Sequence, residues 1–321
     1  MKPIFTLAID GTDRTALFSD RVVSLTVTDE DGMKSDRVSI VLDDRDNALS
    51  LPRKGAEVRI GLGYEETGIA YMGDFTVDQV EPSGPPDRIK VTARAAKFRQ
   101  SLKAPKTRNW TNVTLGDLVK TIAAEHGYEP KIADALAGVS IAQIDQTEES
   151  DIHLLTRLSG QHGAVAKPAA GRLLFVPRGQ VKSASGKLLT PVALTRENLT
   201  TWHATLPDRG RYLSVTAYWH NPATGARVTE TAGAGQPVFT IRHGFPTPED
   251  ARTAAASKFD ALNRKRATLS LTLPGDPAIA AEAPLVVSGV REGVNGTWIV
   301  TSCKHVFNGS TYTTSLEAEA K

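Results

Sequence analysis

Apolar side chains recur at every second position through the first hundred residues: Phe5, Leu7 and Ile9; Val23, Leu25 and Val27; Val38, Ile40 and Leu42; Val58, Ile60 and Leu62; Phe75 and Val77; Ile89 and Val91. A period of two turns one face of each segment toward a core, which predicts short β-strands. Turn residues separate them at Asp31-Gly32, Asp43-Asp44, Gly63-Tyr64, Gly73-Asp74 and Ser83-Gly84-Pro85-Pro86. Short strands at this spacing indicate an antiparallel barrel or sandwich.

The period changes after Asn112. Thr114 can cap a helix in which Leu115, Leu118, Val119, Ile122 and Ala123 form one stripe, closing at His126-Gly127. Ser150 or Asp151 can cap a second, with Ile152, Leu155 and Leu158 on one face, closing at His162-Gly163. A His before a Gly suits the end of a helix, where the dipole favours positive charge and the glycine turns left-handed. Leu173 to Val176 reads as a strand, so the stretch from 105 to about 182 is a mixed α+β insert. Strands return at Leu213 to Trp219 and Val238 to Thr240. A helix over about 247–266 interrupts them, with Pro248 at its first position, Glu249-Asp250 in its first turn and Arg264-Lys265-Arg266 at its end.

The two ends of the chain resemble each other. Arg37 to Asp43 lines up with Ala267 to Leu273, Val58 to Gly61 with Val286 to Gly289, Gly73 to Val77 with Gly296 to Val300, and Ile89 to Thr92 with Tyr312 to Ser315. The last two pairs share one offset, 298 − 75 = 312 − 89 = 223. One small barrel occurring twice gives three domains: 1–104, a first barrel; 105–182, the insert; and 183–321, a second barrel carrying the helix. Two like domains per chain let a closed trimer present six similar units; the alternative is duplication as a way to build a larger molecule.

Composition removes several functions. In 321 residues, 38 Lys+Arg against 36 Asp+Glu leave a net charge of +2, which gives no reason to expect nucleic-acid binding. No apolar run approaches the roughly 18 residues that span a bilayer, so membrane insertion is not expected. The strand-like N-terminus predicts no signal peptide, hence synthesis in the cytoplasm. The single cysteine, Cys303, excludes an intrachain disulfide and a multi-cysteine metal site.

Catalytic motifs fail in turn. There is no His-Glu-X-X-His helix and no Gly-X-Ser-X-Gly elbow. Gly179 to Leu188 has six residues between its glycines where a phosphate loop has four, and Gly61-Leu62-Gly63 lacks the third glycine of a dinucleotide site. His153 and His162 are nine apart, on opposite faces of one helix. Glu148-Glu149 and Asp43-Asp44 are adjacent pairs whose side chains diverge. The chain is therefore expected to be no enzyme, with no catalytic, cofactor-binding or metal-binding residues. For binding, the segment from Lys103 to Trp110 couples base and aromatic in an extended linker. Lys103, Lys106, Arg108 and Trp110 are its candidate contacts to a neighbouring subunit or partner, a solvated hinge being the alternative. Trp219, within Tyr218-Trp219-His220, reads as a core residue.

In order along the chain, several stretches resemble the phage late control gene D family, the baseplate hubs of contractile tails. They are Leu25 to Gly32 with Ser35-Asp36-Arg37, Gly73 to Asp78, Glu149-Ser150-Asp151 leading into Leu155 and Arg157-Leu158, Arg266 to Pro277, Gly296-Thr297-Trp298, and Tyr312 to Glu317. The resemblance implies a mainly β chain with two tube-like antiparallel barrels and a small mixed domain. It implies a homotrimer whose barrels make a pseudo-hexameric ring between the six-fold tail tube and the three-fold central spike. Tube or tube-initiator proteins and the tape measure protein are the further partners implied. The place implied is the virion's tail baseplate, after assembly in the bacterial host. Because the chain stops at Lys321, the spike is expected to be a separate protein. The competing reading is a peptidoglycan- or glycan-binding module acting through residues 105–182.

Overall fold

The structure is a computed structural model and describes residues 1–95, 100–169, 171–178, 191–206, 212–264 and 267–320. The loop of Gly179 to Leu188, the 182/183 boundary and the Lys265-Arg266 end of the last helix lie outside the described residues. The chain is mainly β and divides into two compact units. The first gathers 1–98, 190–204 and 269–318, and the second 99–189, 205–268 and 319–321.

The first unit carries one thirteen-stranded sheet in which a strand order occurs twice. Near the N-terminus, Val22–Glu30, Arg37–Asp43, Arg88–Ala95, Gly68–Ser83, Glu57–Tyr64 and Pro3–Ile9 are neighbours in that order. Near the C-terminus, Thr201–Thr205, Thr268–Pro274, Tyr312–Ala320, Gly296–Phe307, Pro284–Ser288 and Val192–Thr195 are neighbours in the matching order. Sequence order matches as well, so each strand has one counterpart. The outermost strands differ: Pro3–Ile9 runs antiparallel to its neighbour and Val192–Thr195 parallel. Among the described residues neither run closes into a barrel. Instead Val22–Glu30 pairs with the C-terminal half of Gly296–Phe307, from Leu25↔Phe307 to Glu30↔Ser302, and this joins the copies.

Pairing fixes the register of the repeat. Val58 lies opposite Phe75 and Ile60 opposite Gly73; in the second copy Leu285 lies opposite Trp298 and Val287 opposite Gly296. Val58 therefore corresponds to Leu285, one residue from the sequence alignment. Likewise the buried Val38, Ile40 and Leu42 correspond to the buried Leu269, Leu271 and Leu273, again one residue along. With a period of two, a slip of one would turn every side chain to the wrong face. The offset of 223 holds: Ile89, Val91 and Ala93 are buried, as are Tyr312, Thr314 and Leu316. Gly73 and Gly296 share φ values of +141° and +146°, which side chains bearing a Cβ rarely adopt.

The core of the first copy takes in Phe307 and Tyr312 of the second. Phe5 meets Phe307 at 5.2 Å between ring centroids and Tyr64 meets Tyr312 at 5.5 Å, while Leu7, Leu25, Val38, Ile60, Leu62, Phe75 and Ile89 are almost fully covered. Each such side chain contributes about 1.5–3 kcal/mol by leaving water. Two of the family-like stretches lock together here. Gly275 donates its N–H to the Tyr312 carbonyl at 2.8 Å, and Asp276 donates to the Thr314 hydroxyl at 2.9 Å. A Cβ on Gly275 would stand 2.2 Å from the Tyr312 ring, so only glycine admits this approach.

Helices α1 (Thr15–Phe18), α2 (Leu115–Glu125), α3 (Asp134–Ala137), α4 (Asp151–Gln161) and α5 (Pro248–Arg264) follow in chain order. The Thr114 side chain caps α2 and the Ser150 side chain caps α4. His126 and His162 stand at their C-caps, before Gly127 and Gly163 with φ of +65° and +58°. The expected linker is a strand: Pro105–Thr114 pairs antiparallel with Ser140–Ser150, preceded by a single turn at Gln100–Lys103. Ser214–His220, expected within the second barrel, instead forms a separate sheet between Arg227–Gly233 and Val238–Phe245. Its core includes Val215, Ala217, Phe245 and the Ala251, Ala254 and Ala255 face of α5. Trp219 packs against that core, its indole N–H shielded and without a hydrogen bond.

Candidate functional site

Lys106 and Arg108 stand two apart on Pro105–Thr114, which sends both side chains to one face. That face meets the start of α4 and the end of α2. Lys106 Nζ lies 2.6 Å from Asp151 Oδ2 and 2.7 Å from Glu125 Oε2. Arg108 reaches Asp151 Oδ1 at 2.8 Å and Glu125 Oε1 at 2.6 Å. The guanidinium also stacks on Trp110, 4.3 Å from the ring centroid. Trp110 is buried and donates its indole N–H to Gln146 Oε1 at 3.3 Å.

A β-bulge places Gln146. The ladder between Pro105–Thr114 and Ser140–Ser150 shifts register between Gln146 and Glu149, with Glu148 at φ +45°. Gln146 then donates to Asp151 Oδ1 at 2.7 Å and to the Glu149 carbonyl at 2.8 Å, and accepts from Arg108 Nε at 2.9 Å. His126 Nε2–H donates to Asp151 Oδ2 at 2.7 Å, and its Nδ1 accepts from the Ser101 hydroxyl at 2.8 Å. The fully covered Asp151 carboxylate therefore accepts four hydrogen bonds, which is its capacity. Burial alone would raise its pKa. Hydrogen bonds from His126, Lys106 and Gln146, with the Arg108 charge, outweigh burial and hold it below the usual aspartate range. Glu125 is likewise held low: burial opposes ionisation, and bonds from Arg108 and Lys106 overcome it.

Glu125, His126 and Asp151 have the donor types and spacing of a metal site. Lys106 already stands between the two carboxylates, where a metal cation would sit, and Arg108 bridges them a second time. The arrangement is a self-neutralised internal network. Sequence reasoning read Asp151 and His126 as helix ends and Lys106 and Arg108 as outward contacts. The signal it passed over was the two-residue spacing of the bases, which gives them a common face.

A second cluster looks like catalytic machinery. Cys303 Sγ lies 3.2 Å from His305 Nε2 on one face of Gly296–Phe307, a spacing suited to a thiolate–imidazole pair. Its chemistry is sealed. His305 Nε2–H donates to the Ile279 carbonyl at 3.1 Å, and Nδ1 accepts from the Tyr312 hydroxyl at 2.9 Å. Burial pushes the Cys303 thiol far above its ordinary pKa and the His305 imidazole below its own, so a neutral thiol faces a neutral ring. The pair is part of the core. Glu149, from an adjacent acid pair, is held by Arg157 at 2.6 Å.

Residues 36–311 match the family described as phage tail baseplate hub (GPD). A probable baseplate hub protein of Escherichia phage P2 is 34% identical over 363 aligned positions, covering 100% of this chain and 94% of the relative. The crystal structure of the 43 kDa tail protein of prophage MuSo2 from Shewanella oneidensis superposes with a TM-score of 0.75, at 15% identity and over 98% of each chain. A component of the E. coli type VI secretion system, described as structurally similar to T4 bacteriophage tail proteins gp27 and gp5, does so with a TM-score of 0.55. At 13% identity, covering 93% of this chain and 73% of the other, that likeness is one of fold. Doubled strand order, internally satisfied charge clusters and a match to residues 36–311 agree: the chain belongs to the phage tail baseplate hub family, structural components of the virion's tail.

Proposed function

We propose that the chain is a trimeric, non-enzymatic hub whose two copies of the strand pattern act as tube-like barrels, six to a ring, between a six-fold tail tube and a three-fold spike. The observation that carries this reading is the doubled strand order with its matched glycines, Gly73 and Gly296. Three chains with two like copies each supply two sets of three similar positions, six in all, under three-fold symmetry, the match such a junction needs. By copy, the chain divides as 1–104, 105–182 and 183–321, with residues 205–268 an excursion from the second copy. The spike, the tube or its initiator and the tape measure protein are the partners. Binding specific nucleic acid and entering a membrane form no part of the role. Lys106 and Arg108 spend most of their charge inside the chain, so any contact from Lys103, Lys106, Arg108 and Trp110 involves the outward edges of the two bases. Class averages of purified particles in the electron microscope test the ring. Six like lobes in three-fold alternation are expected, and averages without that symmetry would contradict it.

A further inference from the structure

The three-stranded sheet of the second unit ends on a strand with an open side. Val238–Phe245 pairs with Ser214–His220, and among the described residues no strand is hydrogen-bonded to its other edge. That edge lines a groove of about 840 Å³ whose walls include Tyr212, Phe239, Arg157, Arg242, His243 and Lys258. Among the described residues no carboxylate lines it. Arg157 is neutralised by Glu149, but Arg242 and Lys258 form no ion pair among the described residues. The Lys258 ammonium instead lies 4.9 Å over the Phe239 ring, and Tyr212, which is 38% exposed, meets Phe239 edge-on at 5.3 Å.

An open strand edge presents backbone donors and acceptors ready to pair with another extended chain. A groove with basic groups and uncovered aromatic surface selects an extended segment that carries both acidic and apolar side chains. We propose that Val238–Phe245 takes up an extended acidic segment of a partner polypeptide as a fourth strand. Its carboxylates reach Lys258 on the Phe239 face and Arg242 on the opposite face, and its apolar side chains rest on Tyr212 and Phe239. This site lies within the second unit and does not depend on the ring.

The test uses the full chain and a fluorescein-labelled, end-capped eight-residue peptide with glutamates on both faces of a strand and valine or threonine between them, followed by anisotropy. Saturable binding that weakens with salt is expected. Arg242→Glu with Lys258→Glu should weaken it by about tenfold or more. A peptide N-methylated at alternate residues should lose it, since the charges remain while the strand pairing goes. Absence of binding, equal binding of the methylated peptide, or equal binding by the charge-reversed protein would each overturn the proposal. Binding of a sulfated hexasaccharide without binding of the peptide would also overturn it and assign the groove to an anionic glycan. Should the charge-reversed protein fail to fold, the methylated peptide on the native chain decides alone.

Discussion

A single carboxylate organises the second unit's charged interior. Asp151 is covered, accepts four bonds and faces two cations, so removing it strands Lys106 and Arg108 against Glu125 alone. Asp151→Ala should cost about 3–5 kcal/mol in denaturant unfolding, the range for breaking one partner of a buried pair. The pH dependence has a definite sign. Asp151 and Glu125 have folded pKa values below their unfolded ones, so the stability they add is present above about pH 4 and is lost as acid carries them through the lowered values. His305, held neutral by burial, adds a second loss beginning as pH falls below about 6.5, where the unfolded chain takes up the proton first. Melting temperature against pH should fall in these two windows, and Asp151→Asn should flatten the lower one. Cys303 should react with a maleimide only at the rate of unfolding; rapid labelling of the native protein would contradict the sealed geometry. These pairings were poorly legible in the sequence because Lys106 and Asp151 are 45 positions apart and meet only through tertiary packing. The caps at Thr114 and Ser150 were legible, because capping is decided within one turn.

Strands and helices were readable wherever periodicity was long enough. The six N-terminal strands follow their alternation, α2 and α4 begin and end at their capping residues, and α5 begins after Thr247, whose hydroxyl accepts from the Asp250 N–H. Register was harder. Val286 and Val287 are both apolar, so composition does not say which faces inward, whereas the pairing of Leu285 with Trp298 does, leaving Val286 39% exposed. The repeat itself makes a prediction at this scale. Gly296→Ala should destabilise by about 1–3 kcal/mol through its backbone angle alone, since a Cβ there meets nothing within 4 Å. Gly73→Ala should cost more, because its Cβ would also press on the Phe75 ring at 3.1 Å. A negligible effect of either substitution on the denaturation midpoint would contradict the cost assigned to the shared backbone angle.

For the molecule as a whole, alternation identified strands but not the sheet each one joins. Ser214–His220 and Val238–Phe245 alternate like the strands of the large sheet, yet they form their own layer against α5. Likewise, the copies meet through Phe5–Phe307 and Tyr64–Tyr312, contacts that no local pattern encodes. What the sequence did carry was the doubling, because matched turns and buried positions recur in the same order even where identity is low, the last two pairs at one offset. A permanent ring of such copies buries more than about 2,000 Å² between subunits and is more apolar than a transient contact. The central claim, three chains supplying six like units, is tested most directly by the mass of the purified protein in solution. Light scattering at several concentrations, with and without the spike protein, should give three times the 34.4 kDa chain, alone or once the spike is added. A monomer or dimer indifferent to the spike would contradict it.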